Sequence, residues 1–243
     1  KINFLVYIIS MAMNAHTIVI GVVIIVLLYL LYLYFFGDGS AVLVGIHDAS
    51  QEIKISPSSI APGPTQNFTY SVWVYVSNWN PGAPKVIFQR SCGSSFCPKM
   101  AFDPNMNNVT ITLATYPPTG GDAVEATCQI ENVPLQAWTN LIMVLNGQAL
   151  DCYLDGKLVR TCLMPGVPKV AAAGDLILTP NGNSFQGYTG NFQYFNRAVN
   201  PREAYAIYRE GFGGSNWLSN LFNKYRIKLA FMKDNQEVNS FEI

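Results

Sequence analysis

Residues 151–162, DCYLDGKLVRTC, set two carboxylates, a glycine and two thiols within twelve positions. Such a set can hold a metal, pair a nucleophile with a base, close a disulfide, or only turn the chain. Asp155-Gly156 between two alternating apolar arms decides for the turn, because both residues tolerate the positive φ of a type I′ hairpin. In a two-residue hairpin Leu154 faces Lys157, Tyr153 faces Leu158 and Cys152 faces Val159. Cys162 then projects to the face opposite Cys152, and those two sulfurs do not meet unless a bulge shifts the pairing.

Five cysteines stand at positions 92, 97, 128, 152 and 162. Cys92 and Cys97 bracket a short glycine-containing loop and are candidates for a small disulfide ring. Cys128 can reach Cys152 or Cys162 between strands, and the odd count leaves at least one thiol free or paired between chains. Burial of all five as small apolar side chains fits the same spacing. His16 and His47 lie far apart, with no Cys or Ser arrangement that makes a zinc set or a catalytic triad. The sequons Asn67-Phe68-Thr69 and Asn108-Val109-Thr110 abut predicted strands and read as chance occurrences.

The elements that must position these residues are strands. In NFTYSVWVYVSNW, Phe68, Tyr70, Val72, Val74 and Val76 share one face, while Thr69, Ser71, Trp73, Tyr75 and Ser77 share the other. This period of two predicts a strand with one face on a core. Further strands are predicted at 41–46, 52–55, 84–90, 108–115, 123–130, 137–147, 149–155, 157–162, 174–179 and 188–197, with turn residues between them. NPREAYAIYREG (200–211) reads as the lone helix among them: Pro201 sits in its first turn, Ala204, Ile207 and Tyr208 share a face, and Gly211 ends it. Many short strands and one late helix predict a two-sheet sandwich. Beyond it, GFGGSN reads as a joint, WLSNLFNKY as a short amphipathic helix and YRIKLAFMKDNQEVNSFEI as a hairpin.

Only 12% of the 243 residues are charged, about half the share typical of soluble domains. Ile18–Phe36, IVIGVVIIVLLYLLYLYFF, carries no charge; as a helix its length is about 28 Å, close to the hydrocarbon thickness of a bilayer. Tyr29, Tyr32 and Tyr34 gather at one end, where amphipathic rings favour the headgroup layer. A cleaved signal sequence has a shorter apolar run behind a cationic start, whereas here Lys1 alone is basic. A membrane anchor is therefore expected, with the N-terminus on the inner side. Lys+Arg and Asp+Glu balance at 15 each, which sets nucleic acid aside as a partner.

FTYSVWVYV, VPLQAWTNLIMVLNGQALDCYLDGKLV and GDLILTPNGNSFQGYTGNFQYFNRAVNPREAYAIYREG together resemble the laminin G-like, concanavalin A-like jelly-roll superfamily. The shared pattern is a strand-opening Trp138, apolar Leu141–Leu145, the Tyr153–Gly156 hairpin, the strand Gly187–Phe195 and the helix Pro201–Tyr208. The resemblance covers about residues 47–211 and implies an all-β antiparallel sandwich. Glucanases of that superfamily carry alternating acids on one strand, close enough for paired-carboxylate hydrolysis. No such triplet occurs here: Asp155 is a turn residue four positions from Asp151, and Glu125 and Glu131 are six apart. A non-catalytic chain is expected. Some relatives bind calcium through rim carboxylates, but Asp103, Asp122 and Asp175 form no cluster able to supply about six to eight oxygens and read as loop or turn residues. Trp79, in SNWNPG, is the aromatic best placed for a lectin role, or else a plug at the sandwich edge.

An anchor ahead of such a domain, with this tail, further resembles proteins of large DNA viruses that infect algae. That resemblance implies a minor capsid protein at the interface of the virion's internal membrane and capsid. Residues 18–36 would then contact lipid, and the rest would contact major and minor capsid proteins. It also favours disulfides, since such viruses carry thiol-oxidising machinery. The alternative is a membrane-tethered lectin-like module, with glycan as partner. The expected organisation is an anchor at 1–37, a linker with first strands at 38–66, the sandwich at 67–211 and an accessory tail at 212–243, with no metal or cofactor.

Overall fold

The computed structural model describes residues 15–36, 40–60, 65–171, 174–214, 228–233 and 236–242, with side chains described over 20–30, 42–60, 65–171 and 174–214. Residues 1–39 and 40–243 form two separate compact units. The first contains helix α1, Ala15–Phe36. Its described side chains are exposed all round and apolar, from Ile20 at 58% through Ile25 at 67% to Leu30 at 53%. Among the described residues no helix is long and apolar enough to cross a membrane. The described side chains of α1 stop at Ile20 and Leu30, about 16 Å of helix. Ile18 and Phe36, the expected ends of the anchor, lie on α1 but their side chains fall outside that range.

The second unit is a two-sheet sandwich. Its strands are β1 Ser40–Val44, β2 His47–Asp48, β3 Ile53–Ile55, β4 Phe68–Asn78, β5 Lys85–Cys92, β6 Ser95–Phe102, β7 Val109–Tyr116 and β8 Val124–Ile130. There follow β9 Thr139–Asn146, β10 Ala149–Leu154, β11 Lys157–Leu163, β12 Val167–Pro168, β13 Leu176–Leu178 and β14 Gln186–Phe195. One sheet runs β1-β14-β4-β9-β10-β11 with β2 on β14; the other runs β12-β7-β6-β5-β13-β3 with β8 on β7. Every pairing is antiparallel, and β1–β3 belong to the sheets, so the sandwich begins upstream of residue 67.

The alternation of β4 has the consequence expected of it. Phe68, Tyr70, Val72, Val74 and Val76 all face the shared core. Tyr70 sits at the centre of an aromatic group, its ring 5.2 Å from Phe88 and 5.0 Å from Tyr194. Each such large side chain contributes about 1.5–3 kcal/mol on burial. The opposite face of β4 departs from the single-face expectation: Trp73 is only 6% exposed. Helix α2, Pro201–Glu210, lies over that face with Ala204 and Ile207 packed on Ile142, Val144, Tyr153 and Phe195, and Tyr208 stacks on Trp73 at 5.5 Å.

The start of α2 is set by a reciprocal cap. The Asn200 side chain accepts from the Glu203 backbone N–H at 3.0 Å, and the Glu203 carboxylate accepts from the Asn200 N–H at 2.8 Å. This satisfies two donors that a helix start otherwise leaves open. In the tail, β15 Lys228–Lys233 pairs with β16 Gln236–Glu242; the expected helix at 217–225 and the turn at Asp234-Asn235 fall outside the described residues.

Candidate functional site

The stretch that invites chemistry is a structural turn. Asp155 and Gly156 have φ of 48° and 71°, as a type I′ turn demands. The Asp155 carboxylate accepts from the Asn140 N–H at 2.8 Å and so ties the hairpin tip to β9. Asp151 is occupied by the Thr161 hydroxyl, which donates to it at 2.6 Å. The register needs one correction. A bulge opposite Cys152–Tyr153 leaves Val159 extra, so Cys152 faces Arg160 rather than Val159. That one-residue shift turns Cys162 to the core side, because side chains alternate along a strand.

Cys162 therefore bonds Cys128, joining β11 of one sheet to β8 of the other. Cys92 and Cys97 are bonded to each other. Cys152 carries a free thiol, fully buried, with its sulfur 3.7 Å from that of Cys128. Burial, and secondarily the charge of Asp151, push this thiol up to about 12. It stays protonated at neutral pH, and the thiolate is the nucleophile, so Cys152 is chemically inert there.

The remaining suspects are dispersed. His47 Nε2 contacts the Gln51 carbonyl at 2.9 Å, Glu125 accepts from the Phe96 N–H, and Asp103 accepts from the N–H groups of Asn105 and Met106. Among the described residues no three His, Cys, Asp or Glu side chains are placed to share a metal ion. The sequon residues both brace loops: Asn67 accepts from the Gly147 N–H, and Asn108 from the Asn132 N–H.

Trp79 leads to a cleft. At one end of the sandwich a depression of about 450 Å³ is lined by Trp79, Asn105, Met106, Asn107, Asn108, Glu131, Asn132 and Leu135. Three loops build it, those joining β4 to β5, β6 to β7 and β8 to β9. They are laced together: Val133 N–H donates to Asn107 O at 2.8 Å, the Asn107 amide donates to Val133 O at 3.1 Å, and Gly82 N–H donates to Pro104 O at 3.0 Å. Lys85 Nζ donates to Ala83 O and Pro104 O, and lies 4.1 Å from the centre of the Trp79 ring. The Trp79 ring also meets Phe102 edge-on at 5.9 Å. Trp79 is thus both a plug on the core and a wall of the cleft.

The polar groups of the cleft are held without being used up. The side-chain amides of Asn105 and Asn132 have no hydrogen-bond partner among the described residues. Asn132 is held at φ 55°, a left-handed conformation that asparagine tolerates better than most residues. Sequence reasoning singled out Trp79 alone; the amides belong to segments 26 to 53 positions further on, and only the fold assembles them. The sole signal was the density of asparagine in DPNMNN and ENV.

A second depression, of about 430 Å³, lies on the outer face of the β4 sheet between Ile46, Tyr75, Trp138 and Tyr188. It is walled by rings, with Phe212 stacked on Trp138 at 4.5 Å. The amide row that distinguishes the Trp79 cleft is absent from its lining.

With this sandwich and cleft established, sequence comparison places the lineage. A laminin G family model, described as the concanavalin A-like lectin/glucanases superfamily, matches residues 47–204. The chain belongs to the concanavalin A-like lectin/glucanase superfamily. No curated protein matches this superfamily member by sequence.

Solved structures similar to it include the receptor binding domain of botulinum neurotoxin D, at TM-score 0.53 and 12% identity over 68% of this chain and 44% of that one. The binding domain of botulinum neurotoxin DC, solved with rat synaptotagmin II, matches at 0.53 and 12% over 76% and 50%. The serotype D ligand binding domain in complex with N-acetylneuraminic acid matches at 0.53 and 12% over 73% and 49%. This member of the superfamily spans half or less of those neurotoxin domains, and at 12% identity the likeness is one of fold alone.

Proposed function

We propose that this chain is a non-catalytic carbohydrate-binding protein held at a membrane by α1. The observation that carries the reading is the Trp79 cleft, where one indole and four asparagines on three interlocked loops line the same depression. A pyranose presents an apolar face of C–H groups and a rim of hydroxyls that both donate and accept. Each free amide offers a carbonyl and an NH₂ in a fixed plane, and an aromatic wall supplies the apolar contact. Loops already fixed before binding lose little further freedom. One fold relative was solved with N-acetylneuraminic acid; this supports the fold's capacity to carry a sugar and says nothing of which sugar or where.

The absence of catalysis is part of the proposal, and it is supported by the carboxylates themselves. Asp151 and Asp155 serve Thr161 and Asn140, and Glu131 is the one acid lining the cleft. Membrane tethering is supported by α1. A helix apolar on every side needs an apolar surrounding, and its described residues are all uncovered or only half covered. The virion assignment drew on the texture of the sequence, and neither the cleft nor the fold relatives add to it.

The test is a glycan array probed with the full chain in nanodiscs, followed by calorimetry on the hits. Saturable binding is expected, with a loss of at least ten-fold in Asn132→Gly, which removes the amide yet keeps the left-handed backbone. No saturable binding, or equal binding by the variant, would overturn the reading.

A further inference from the structure

We propose that the Trp79 cleft selects neutral pyranoses and rejects sugars bearing a carboxylate, an inference that rests on the carbohydrate reading above. The cleft has one charged lining residue, Glu131; its other liners are four asparagines, Trp79, Met106 and Leu135. A carboxylated sugar entering it meets a like charge, and among the described residues no cation is part of the cleft's lining.

Two cations lie nearby, and each is committed. Lys85 is 2% exposed, its ammonium held by two carbonyls over the indole ring. Burial lowers its pKa, which fits a charge drawn away from solvent. Arg160 pairs with Glu131 at 3.4 Å, and it lines the neighbouring depression together with Gln129, Ile130 and Val159. Glu131 lines both depressions, and Arg160 lines only the second. Recognition of a carboxylate typically uses a guanidinium fork turned toward the ligand, and none lines this site.

What the cleft does offer suits hydroxyls. Amides of Asn105 and Asn132 stand free, the Asn107 carbonyl oxygen remains available while its NH₂ holds Val133, and the Asn108 NH₂ remains available while its oxygen holds Asn132. Glu131, 61% exposed on its side chain, can accept from two adjacent hydroxyls at once. Met106, 53% exposed, and Leu135 extend the apolar wall begun by Trp79. A neutral ring with hydroxyls on one rim matches these groups in kind, donating to the carbonyls and the carboxylate and accepting from the NH₂ groups. A carboxylate brings two acceptors that only the asparagine NH₂ groups can answer, and it lies beside an acidic member that is itself only an acceptor.

The experiment uses the full chain in nanodiscs and saturation-transfer NMR with methyl glucoside, galactoside and mannoside, set against methyl glucuronide and N-acetylneuraminic acid. The expected result is binding of at least one neutral glycoside, ten-fold or more tighter than either carboxylated sugar, and lost in Asn132→Gly. In Glu131→Gln the gap should narrow about three- to ten-fold, since removing one partly screened charge is worth roughly that much. A carboxylated sugar that binds as tightly as the neutral ones, through Asn132, would overturn the selectivity and leave the carbohydrate reading standing. Neutral binding indifferent to Asn132→Gly would place the sugar elsewhere and overturn the assignment to this cleft. Failure of every sugar to bind would remove the carbohydrate reading together with the inference.

Discussion

At Gly156 two separate demands fall on one residue. Its φ of 71° lies in the left-handed region, and a Cβ there would stand 2.9 Å from Tyr208 Cβ and 3.2 Å from Tyr205 Cα. The hairpin tip is thus glycine both to turn and to let α2 settle on the sheet. Gly82 separates the two effects, because its φ is 79° but a Cβ would meet nothing within 4 Å. Gly82→Ala should cost only the conformational part, about 1–2 kcal/mol. Gly156→Ala should cost that plus about 1–3 kcal/mol for crowding against α2. Urea unfolding of both variants measures the difference; equal midpoint shifts would mean that α2 yields freely and the close approach carries no weight.

The bulge in β11 determines how the two sheets are fastened together. It turns Cys162 inward to meet Cys128, so the bond links strands 34 positions apart in different sheets, whereas Cys92–Cys97 closes a separation of 5. Loop-closure entropy assigns about 4 kcal/mol to the first and about 2 kcal/mol to the second. Replacing Cys128 and Cys162 by alanine should therefore lower the unfolding free energy by about twice as much as replacing Cys92 and Cys97, as read from denaturant midpoints under non-reducing conditions. Equal losses would show that the inter-sheet bond adds nothing special. The hairpin itself was legible, because Asp-Gly between alternating arms has few other solutions. So was the core face of β4, since period two leaves little choice once one face is apolar. The bulge was not legible: nothing in Leu158-Val159-Arg160 marks which residue will fall out of register. Trp73 was misjudged for a similar reason. Its face of β4 reads as the outer one, and α2 covers it from more than 125 positions away. The cleft shared this obstacle, since its amides become neighbours of Trp79 only after the loops between three pairs of strands have been placed.

At the scale of the whole molecule, the proposed sugar site and the apolar helix are complementary assets. An open cleft of this kind would hold a sugar loosely, and confinement of many copies on one surface would raise the effective concentration of sites without any new contact. This makes the environment of α1 the quantity on which usefulness depends. From Ile20 to Leu30 the helix has no polar side, with Ile24 at 51% and Leu28 at 61% exposed. The full chain should accordingly float with liposomes and withstand alkaline carbonate. Converting both Ile24 and Leu28 to aspartate places two charges near the middle of the apolar run, each costing about 2.5–3.5 kcal/mol at a bilayer centre. Together they should move most of the protein to the aqueous fraction. Residues 40–243 form their own compact unit, so sugar binding per site should survive that change while retention on multivalent glycan surfaces falls at least ten-fold. A double variant that still floats would show that α1 is not what holds the chain to lipid. A soluble variant retained as well as the parent would show that tethering contributes nothing to capture.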